Sequence, residues 1–426
     1  MRCGISRGTV SLLAALLLAG AAARAQQAGA PARIDLEEAV RLALEHNHSL
    51  KAARTQISQS QAEEITAAVR PNPVFTYDNL FIPIFSPGQI NSSTLNNVSE
   101  FDAGISYTFE RGHKRQARMR AAKDSTRVVE SQVKDNERSL TFNVAQQFVG
   151  VLLAKSNLEF AQQDLASFQD TVRLSEERYR AGAISEGDLL KIKLQMLQFQ
   201  TDVSNARLAL AQARAGLRQF LGFDALPGDF DVAGDLAYTP LKLNREDLQL
   251  LAMKSRPDLI AAQQGVTAAQ SQYFLAKANG KRSVTTTLDY THVSGLNNAS
   301  FILNVEIPIF DRNQGEIARS HYAIAQSQEG AAAVSEGVMT DVATAYQGLK
   351  SGEEVVQIYL SGSLQQAKDS RDISEYAYKR GAASLLDFLD AERSYRATQL
   401  AYRQSLAIYM LALEQTREAV GTRSLP

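Results

Sequence analysis

An internal duplication limits the possible folds of this chain more than any other feature of its sequence. Residues 174–222 align with residues 373–421 at a constant offset of 199 positions, without a gap. We therefore predict one structural unit of about 200 residues that occurs twice in tandem. The first repeat spans 26–222 and the second spans 245–426, with an irregular connector at 223–244. Identical residues recur in both aligned segments: Tyr179, Gly182, Ser185 and Asp188 in the first, and Tyr378, Gly381, Ser384 and Asp387 in the second.

Each repeat begins with a helical pattern that gives way to a strand pattern. In the first repeat, residues 35–69 carry apolar side chains at helical spacing, and two prolines then prevent the helix from continuing. Residues 101–110 alternate between apolar and polar side chains, which is the period of a strand with two different faces. The second repeat changes in the same order. We predict strand pairs within 72–110 and 283–310.

The apolar face of these strands is predicted to contact lipid. Segments of about ten alternating residues have the length that a tilted strand needs to cross a bilayer. The same pattern also fits two hairpins of a soluble sheet with one face on a core. Because four strands cannot close a membrane barrel, the lipid interpretation requires several copies of the chain. The predicted lipid-facing residues are Phe101, Ile105, Tyr107, Phe109, Leu288, Tyr290, Phe301, Leu303, Val305 and Ile307.

Long helices are predicted to follow each strand pair. No proline occurs between Gly112 and Arg180, and apolar residues recur every seven positions from Val144 onward. A break at Gly182 predicts a returning helix, so the first helical hairpin spans 112–222 and the second spans 313–421. A soluble periplasmic coiled-coil scaffold would show the same periodicity, and that alternative remains open at this point.

The N-terminal segment predicts export. Arg2 and Arg7 precede an uncharged apolar run and the small residues of Ala23-Arg24-Ala25, so residues 1–25 are predicted to be a secretory signal peptide. The single cysteine, Cys3, falls inside it. The mature chain would therefore lack thiols for disulfides or metal binding, and would lack a cysteine that could carry a lipid anchor.

The sequence lacks the patterns of several enzyme classes. The formal net charge of -1 gives no indication of a nucleic-acid partner. No dinucleotide-binding or Walker motif occurs, and the five histidines do not have a metal-ligand spacing. Ser131-Gln132-Val133-Lys134 matches the S-x-x-K of serine acyl-enzymes, but no companion motif is present. We expect no catalytic activity, no cofactor and no resident metal.

Several motifs in a fixed order resemble the TolC-like outer-membrane efflux family over essentially the whole mature length. The residues 307–315, which read Ile-Pro-Ile-Phe-Asp-Arg-Asn-Gln-Gly, are most similar to the heavy-metal branch of the cobalt-zinc-cadmium type. Drug and solvent exporters share much of this pattern. The other motifs are Leu36-Glu37-Glu38-Ala39, Arg70-Pro71-Asn72-Pro73, Glu110-Arg111-Gly112, Tyr179-Arg180-Ala181-Gly182, Tyr378-Lys379-Arg380-Gly381 and Leu386-Asp387.

The resemblance implies a mainly α protein with a small membrane β-barrel part. Three identical chains would build a twelve-stranded barrel in the outer membrane above a periplasmic tunnel of helical hairpins. A periplasmic adaptor would dock on the hairpin tips and connect the tunnel to an inner-membrane pump, expected to be proton-driven. The implied function is passive conduction of heavy-metal cations to the exterior. Drugs, solvents or secreted protein are the alternative cargoes in the same architecture.

The resemblance also implies roles for residues at the hairpin tips. Tyr378, Asp387 and Asp390 match the positions of gating tyrosine and aspartate rings, although Ala383 stands where the family often has a basic residue. The alternative is that both aspartates are acids at a helix N-terminus beside Ser384, stabilised by the helix dipole. The predicted adaptor contacts are Tyr179, Arg180, Gly182, Ser185, Asp188, Gly381, Ser384 and Leu385.

Overall fold

The computed structural model describes residues 32–226 and 229–425, so the predicted signal peptide lies outside the described residues. The described residues of the first half form four strands and five α-helices. They are β1 (Ala32–Ile34), α1 (Leu36–His46), α2 (His48–Ala68), β2 (Val74–Leu80), α3 (Ser92–Asn97), β3 (Glu100–Phe109), α4 (Lys114–Arg180), α5 (Glu186–Leu221) and β4 (Phe230–Val232).

The second half repeats the order of long helices and paired strands. Its elements are α6 (Arg245–Ser255), α7 (Pro257–Asn279), β5 (Val284–Val293), β6 (Leu296–Val305), α8 (Gln314–Ile358), α9 (Leu364–Arg380) and α10 (Leu385–Val420). A π-helical segment at Tyr359–Ser363 separates α8 from α9, which the sequence pattern did not predict. Gly362 has a φ of 133° there, a conformation that glycine adopts without a steric penalty.

Asn47 divides the single helix predicted at 35–69 into two. Its backbone is extended, with φ of -62° and ψ of 118°, and the amide of its side chain donates to the carbonyl oxygen of Phe220 at 3.0 Å. Asp35 begins α1 by accepting a hydrogen bond from the amide of Glu38 at 2.8 Å. A side chain that bonds to distant backbone can thus end a helix without a proline.

The chain forms two compact units, and each unit combines segments of both sequence repeats. The first unit contains Met1–His48, Ser139–Lys242 and Ala345–Glu418, and the second contains Ser49–Arg138, Leu243–Thr344 and Ala419–Pro426. Among the described residues, none of the helices combines the length and the apolar character that crossing a membrane requires.

In the first unit, the predicted seven-residue seam is buried along most of its length. Val144, Val151 and Val172 are buried, and Leu158 and Leu165 are half-buried. Tyr179, the last position of the series, is exposed at the end of the helix. Within the connector predicted to be irregular, Phe230–Val232 forms β4, which pairs in parallel with β1.

Asp231 of β4 fixes this connector to the helices of the first unit. Its carboxylate lies 2.9 Å from Lys155 Nζ on α4 and 2.7 Å from an Arg214 guanidinium nitrogen on α5. These two cations hold the pKa of Asp231 below its usual range despite the opposing effect of its burial.

The second unit contains an antiparallel sheet with the order β2-β3-β5-β6. The register pairs Ile105 with Leu288, and Leu288 with Phe301, so these residues lie on one face as the alternation predicted. Strands β2 and β6 are the two edges, and each has unpaired backbone groups along one side in the described chain.

Candidate functional site

The two helical hairpins of the first unit reverse direction in the same way. Gly182 and Gly381 have φ of 72° and 76°, a left-handed conformation that favours glycine at a helix end. In both turns, the amide of the residue after the glycine donates to the carbonyl oxygen five positions earlier, at 2.8 Å. The repeated glycines of the sequence therefore mark two equivalent turns, called here tip one and tip two.

A serine caps the returning helix at each tip. Ser185 Oγ accepts a hydrogen bond from the amide of Asp188 at 3.1 Å, and Ser384 Oγ accepts one from Asp387 at 3.2 Å. The Asp387 carboxylate in turn accepts from the Ser384 amide at 3.2 Å, which completes a reciprocal cap. Asp387 thus has the helix-capping role that the sequence left open, and its role as a gate stays a prediction.

Tyr378 lies in an apolar core that joins the two hairpins. It is only 4% exposed, and its ring stacks on Phe388 with the centroids 5.4 Å apart. Its hydroxyl lies 3.3 Å from Ser175 Oγ, and Arg178 donates to its carbonyl oxygen at 2.7 Å. This core, called here the tip cluster, consists of Phe168, Val172, Ile192, Phe199, Tyr378, Leu385 and Phe388.

The structure does not bring the three predicted gate residues together on one surface. Asp387 and Asp390 are exposed on successive turns of α10, whereas Tyr378 is enclosed by the tip cluster. Asp390 forms an ion pair with Arg393, and both of these side chains are exposed. The two aspartates are therefore accessible to other molecules, whereas Tyr378 is not.

The predicted adaptor contacts divide in a similar way. At tip one, Tyr179, Arg180, Gly182 and Ser185 are exposed and Asp188 is half-buried. At tip two, Gly381 and Ser384 are exposed. Leu385 is 8% exposed and belongs to the tip cluster, whereas Leu386 is 74% exposed. The apolar surface at tip two is therefore provided by Leu386, because α10 turns Leu385 inward.

A buried pair of acids, which is not among the predicted site residues, lies between the hairpins. Asp164 on α4 and Glu392 on α10 are each 6% exposed, and the two carboxyl groups interact with each other. Burial raises the pKa of Glu392 to about 8, and the charge of Asp164 contributes to the increase. Burial also raises the pKa of Asp164. At neutral pH the pair therefore holds one proton, because two adjacent buried carboxylates repel each other.

Two arginines partly compensate the charge of this pair. Arg396 Nε lies 2.6 Å from Asp164 Oδ2, and the same guanidinium pairs with Asp202 on α5. It also lies 4.2 Å from the centroid of Phe199. Arg371 on α9 lowers the pKa values of both acids through its charge. We call Asp164, Glu392, Arg371, Arg396 and Asp202 the charge cluster.

A signal for this cluster was present in the sequence. Asp164 falls between Ala161 and Phe168 on the face of α4 that is otherwise apolar. Glu392 falls one turn after Phe388 on α10. An acid at a core-facing position of a helix indicates a buried partner.

The sheet of the second unit carries a separate group of acids on its polar face. Asp78 of β2 is directly opposite Asp102 of β3. Asp289 of β5 is opposite Gly104, and a side chain at Gly104 would come within 2.6 Å of the Asp289 carboxylate. Glycine therefore leaves room for this carboxylate. Glu100, at the start of β3, is on the same face as Asp102, so the face opposite the apolar side chains presents four carboxylates in the described strands.

The chain matches the family described as outer membrane efflux protein over residues 39–223 and 249–422. It is 22% identical over 371 residues to the cobalt-zinc-cadmium resistance protein CzcC of Cupriavidus metallidurans, a match that covers 87% of this chain and 85% of CzcC. It is 25% identical to SilC of Salmonella typhimurium, named as an outer membrane lipoprotein, over 84% of this chain and 79% of SilC.

A solved structure of CusC, described in terms of transmembrane channel formation, shares the fold. The TM-score is 0.74 at 20% sequence identity, and the match covers 93% of this chain and 96% of the CusC chain. The open-state outer membrane channel MtrE of Neisseria gonorrhoeae gives a TM-score of 0.74 at 19% identity, over 91% of this chain and 89% of that chain.

Proposed function

This chain belongs to the outer membrane efflux protein family, and on that premise we propose that it forms the exit duct through which heavy-metal cations leave the periplasm. Proteins of this family work as trimeric channels in the outer membrane, together with an adaptor and an inner-membrane pump. The chain is passive in this proposal, and its partners supply the energy.

The sheet of the second unit carries the proposal. One face exposes Ile105, Leu288 and Phe301, and the opposite face carries aspartates and threonines. Edge strands with unpaired backbone groups are not tolerated in lipid, so β2 and β6 must pair with other copies. Three copies would supply twelve strands, a number within the range of bacterial membrane barrels.

The cargo assignment rests on acidic side chains and on the named relatives. Asp78, Asp102 and Asp289 would line the water-filled interior of the barrel, and Asp387 and Asp390 would form a second group of carboxylates at tip two. Rings of carboxylates favour cations over anions in a pore. CzcC is named for cobalt, zinc and cadmium resistance, and other relatives are named as cation efflux proteins CusC. These names support metal cations over drugs or secreted protein.

The hairpin tips are the proposed contact with the periplasmic adaptor. Tyr179 and Leu386 expose large side chains at tip one and tip two. Asp387 and Asp390 would form the constriction that an adaptor opens by moving the tips apart. The coupled inner-membrane pump is proposed to be proton-driven.

We also propose that the chain reaches the outer membrane by a signal peptide and without a lipid anchor. SilC is named as a lipoprotein, but the one cysteine of this chain is Cys3, within the proposed signal. Mass spectrometry of the outer-membrane protein should find Gln26 as its first residue. An acylated N-terminal cysteine would contradict this route.

Deleting the gene is expected to reduce tolerance to zinc, cobalt or cadmium much more than tolerance to hydrophobic drugs. Growth at graded metal concentrations measures the effect, and the wild-type gene should restore it. The double variant Asp387→Asn/Asp390→Asn is expected to restore metal tolerance only in part, because a neutral constriction attracts fewer cations. If only drug tolerance were lost, the result would contradict the assignment of metal cations as cargo. It would still agree with the function of the chain as an exit duct.

A charge on the apolar face of β6 is expected to block membrane assembly. Phe301→Arg places a guanidinium at the centre of the strand, at a cost of roughly 2–4 kcal/mol near the bilayer midplane. Ser300→Arg, on the opposite face of the same strand, is the matched control. We expect heat-modifiable trimer in the outer-membrane fraction for Ser300→Arg and little for Phe301→Arg. Equal recovery of the two variants would contradict the lipid-facing assignment.

A further inference from the structure

A basic cavity lies in the second unit, where the strands of the sheet join the long helices. It has a volume of about 990 Å³. Strand β3 ends at Phe109 and β5 begins at Val284, and Val284 pairs with both Phe109 and Val305. These strand ends therefore meet at one edge of the sheet. The cavity is lined by the cationic residues Arg111, Lys277, Lys281, Arg282 and Arg312, together with Glu306 and several small or apolar residues.

Most of the positive charge in this cavity is uncompensated. Arg282 pairs with Glu306 at 3.2 Å and with Asp311 at 3.5 Å. The other four cationic residues form no ion pair with a carboxylate of the described chain. Lys277 instead lies 4.3 Å from the ring centroid of Tyr273. Four cations that share one concave surface attract an anion with several oxygen atoms.

Apolar side chains next to the cavity distinguish a lipid from a free anion. Ile307, Ile309 and Phe310 follow β6 directly and are highly exposed, with Phe310 at 90%. Pro308, between them, lines the cavity. This loop continues the exposed apolar face of β6 past the end of the strand. An anion-binding cavity beside an exposed apolar loop matches a ligand with a charged head and apolar chains.

The two ends of the sheet differ in charge. Residues 79–99 and 290–305, which include the loops at the far end, contain no Lys, Arg, Asp or Glu. The basic residues are concentrated at the helix end, which faces the periplasm in the proposed function. Basic residues at a membrane boundary bind anionic headgroups, whereas an uncharged loop end does not.

We propose that this cavity binds the phosphate of a phospholipid headgroup in the membrane leaflet that faces the periplasm. Lys277 and Lys281 would contact the phosphate, and the loop of Ile307–Phe310 would lie among the acyl chains. Gly112 helps to place Lys281, because a side chain at Gly112 would come within 2.6 Å of the Lys281 Cβ. The proposal rests on the proposed function, since it requires the strands to be in the bilayer.

Native mass spectrometry of the detergent-solubilised trimer with added phosphatidylglycerol tests this site. Each lysine near an anionic headgroup contributes about fivefold in affinity, so Lys277→Gln/Lys281→Gln is expected to bind about thirtyfold more weakly. The matched control is Lys51→Gln/Lys254→Gln, which removes two exposed charges from α2 and α6 of the same unit. It is expected to bind the lipid like the wild type.

Two further ligands identify the source of the phosphate. Diacylglycerol with the same acyl chains should bind weakly, and inorganic phosphate should not displace the phospholipid. Equal lipid binding by the wild type and the Lys277→Gln/Lys281→Gln variant would overturn the proposal, as would displacement by inorganic phosphate. If the Lys277→Gln/Lys281→Gln variant still inserts as a conducting trimer, either of these two results would contradict the lipid site alone. A wild-type chain that fails to insert would instead contradict the proposed function.

Discussion

Replacing Arg396 with alanine is expected to lower the free energy of unfolding of the first unit by roughly 3–5 kcal/mol, the usual cost of removing one partner from a buried ion pair. The variant would leave the carboxylates of Asp164 and Asp202 without the guanidinium that joins them. It would also remove the cation that packs on Phe199. Thermal or denaturant unfolding followed by circular dichroism at 222 nm measures the loss in detergent-solubilised protein.

Arg393→Ala is the matched control for this prediction. Arg393 is on the same helix three residues earlier, and its ion pair with Asp390 is exposed, with 77% and 62% of the two side chains accessible. We expect a change of less than about 1 kcal/mol, as for most surface pairs. Similar unfolding midpoints for Arg396→Ala and Arg393→Ala would show that the charge cluster does not stabilise the packing of the hairpins.

The stability of the first unit is expected to fall as the pH rises from about 5 to about 8, in part because of Glu392. The pKa of this carboxyl is about 8 in the folded chain, against an ordinary value of 4.5. Between these values the folded chain holds a proton that the unfolded chain has released, so raising the pH favours unfolding. This stabilisation is complete below pH 4.5 and is lost above pH 8. The slope is at most about 1.4 kcal/mol per pH unit.

Glu392→Gln is expected to flatten this dependence on pH. Glutamine stays neutral and retains a donor for Asp164, so the variant should match the wild type near pH 5 and exceed its stability near pH 8.5. Glu177→Gln, which changes an exposed acid on α4, should follow the wild-type curve. Parallel curves for the wild type and Glu392→Gln would mean that Glu392 does not hold a proton in the folded protein. Unfolding midpoints at five or six pH values provide the measurement.

The architecture of this chain was predictable because its signals are periodic. Alternation with a period of two places Leu288 and Phe301 on one face, and the observed register pairs them directly. The seven-residue period identified Val144 and Val151 as buried. The breaks at Asn47 and Gly362 were not predicted. The break at Asn47 involves a hydrogen bond to the distant Phe220, and the break at Gly362 depends on a local backbone conformation. No repeating pattern encodes either of them.

The candidate site was predictable only where the role of a residue depends on its immediate neighbours in the sequence. The break at Gly182 was identified correctly as a turn, because its role is local. Ser185 and Ser384 were predicted to contact an adaptor, and the structure shows that each of them caps a helix. Tyr378 was assigned to a gate, but Phe388 and Phe168 enclose it in the tip cluster. The pairing of Asp164 with Glu392 brings together residues more than 200 positions apart. Such a contact depends on the folded arrangement of hairpins, which spacing along the chain does not give.

The π-helical segment determines where the first arm of the second hairpin, formed by α8 and α9, can bend. Helix α9 is a rigid rod of 17 residues, with one left-handed glycine, Gly362, just before it and another, Gly381, just after it. The regular ladder of main-chain hydrogen bonds is already interrupted at Tyr359–Ser363. A sideways pull on tip two would therefore swing this rod about Gly362 at little cost in main-chain hydrogen bonds of the helix itself.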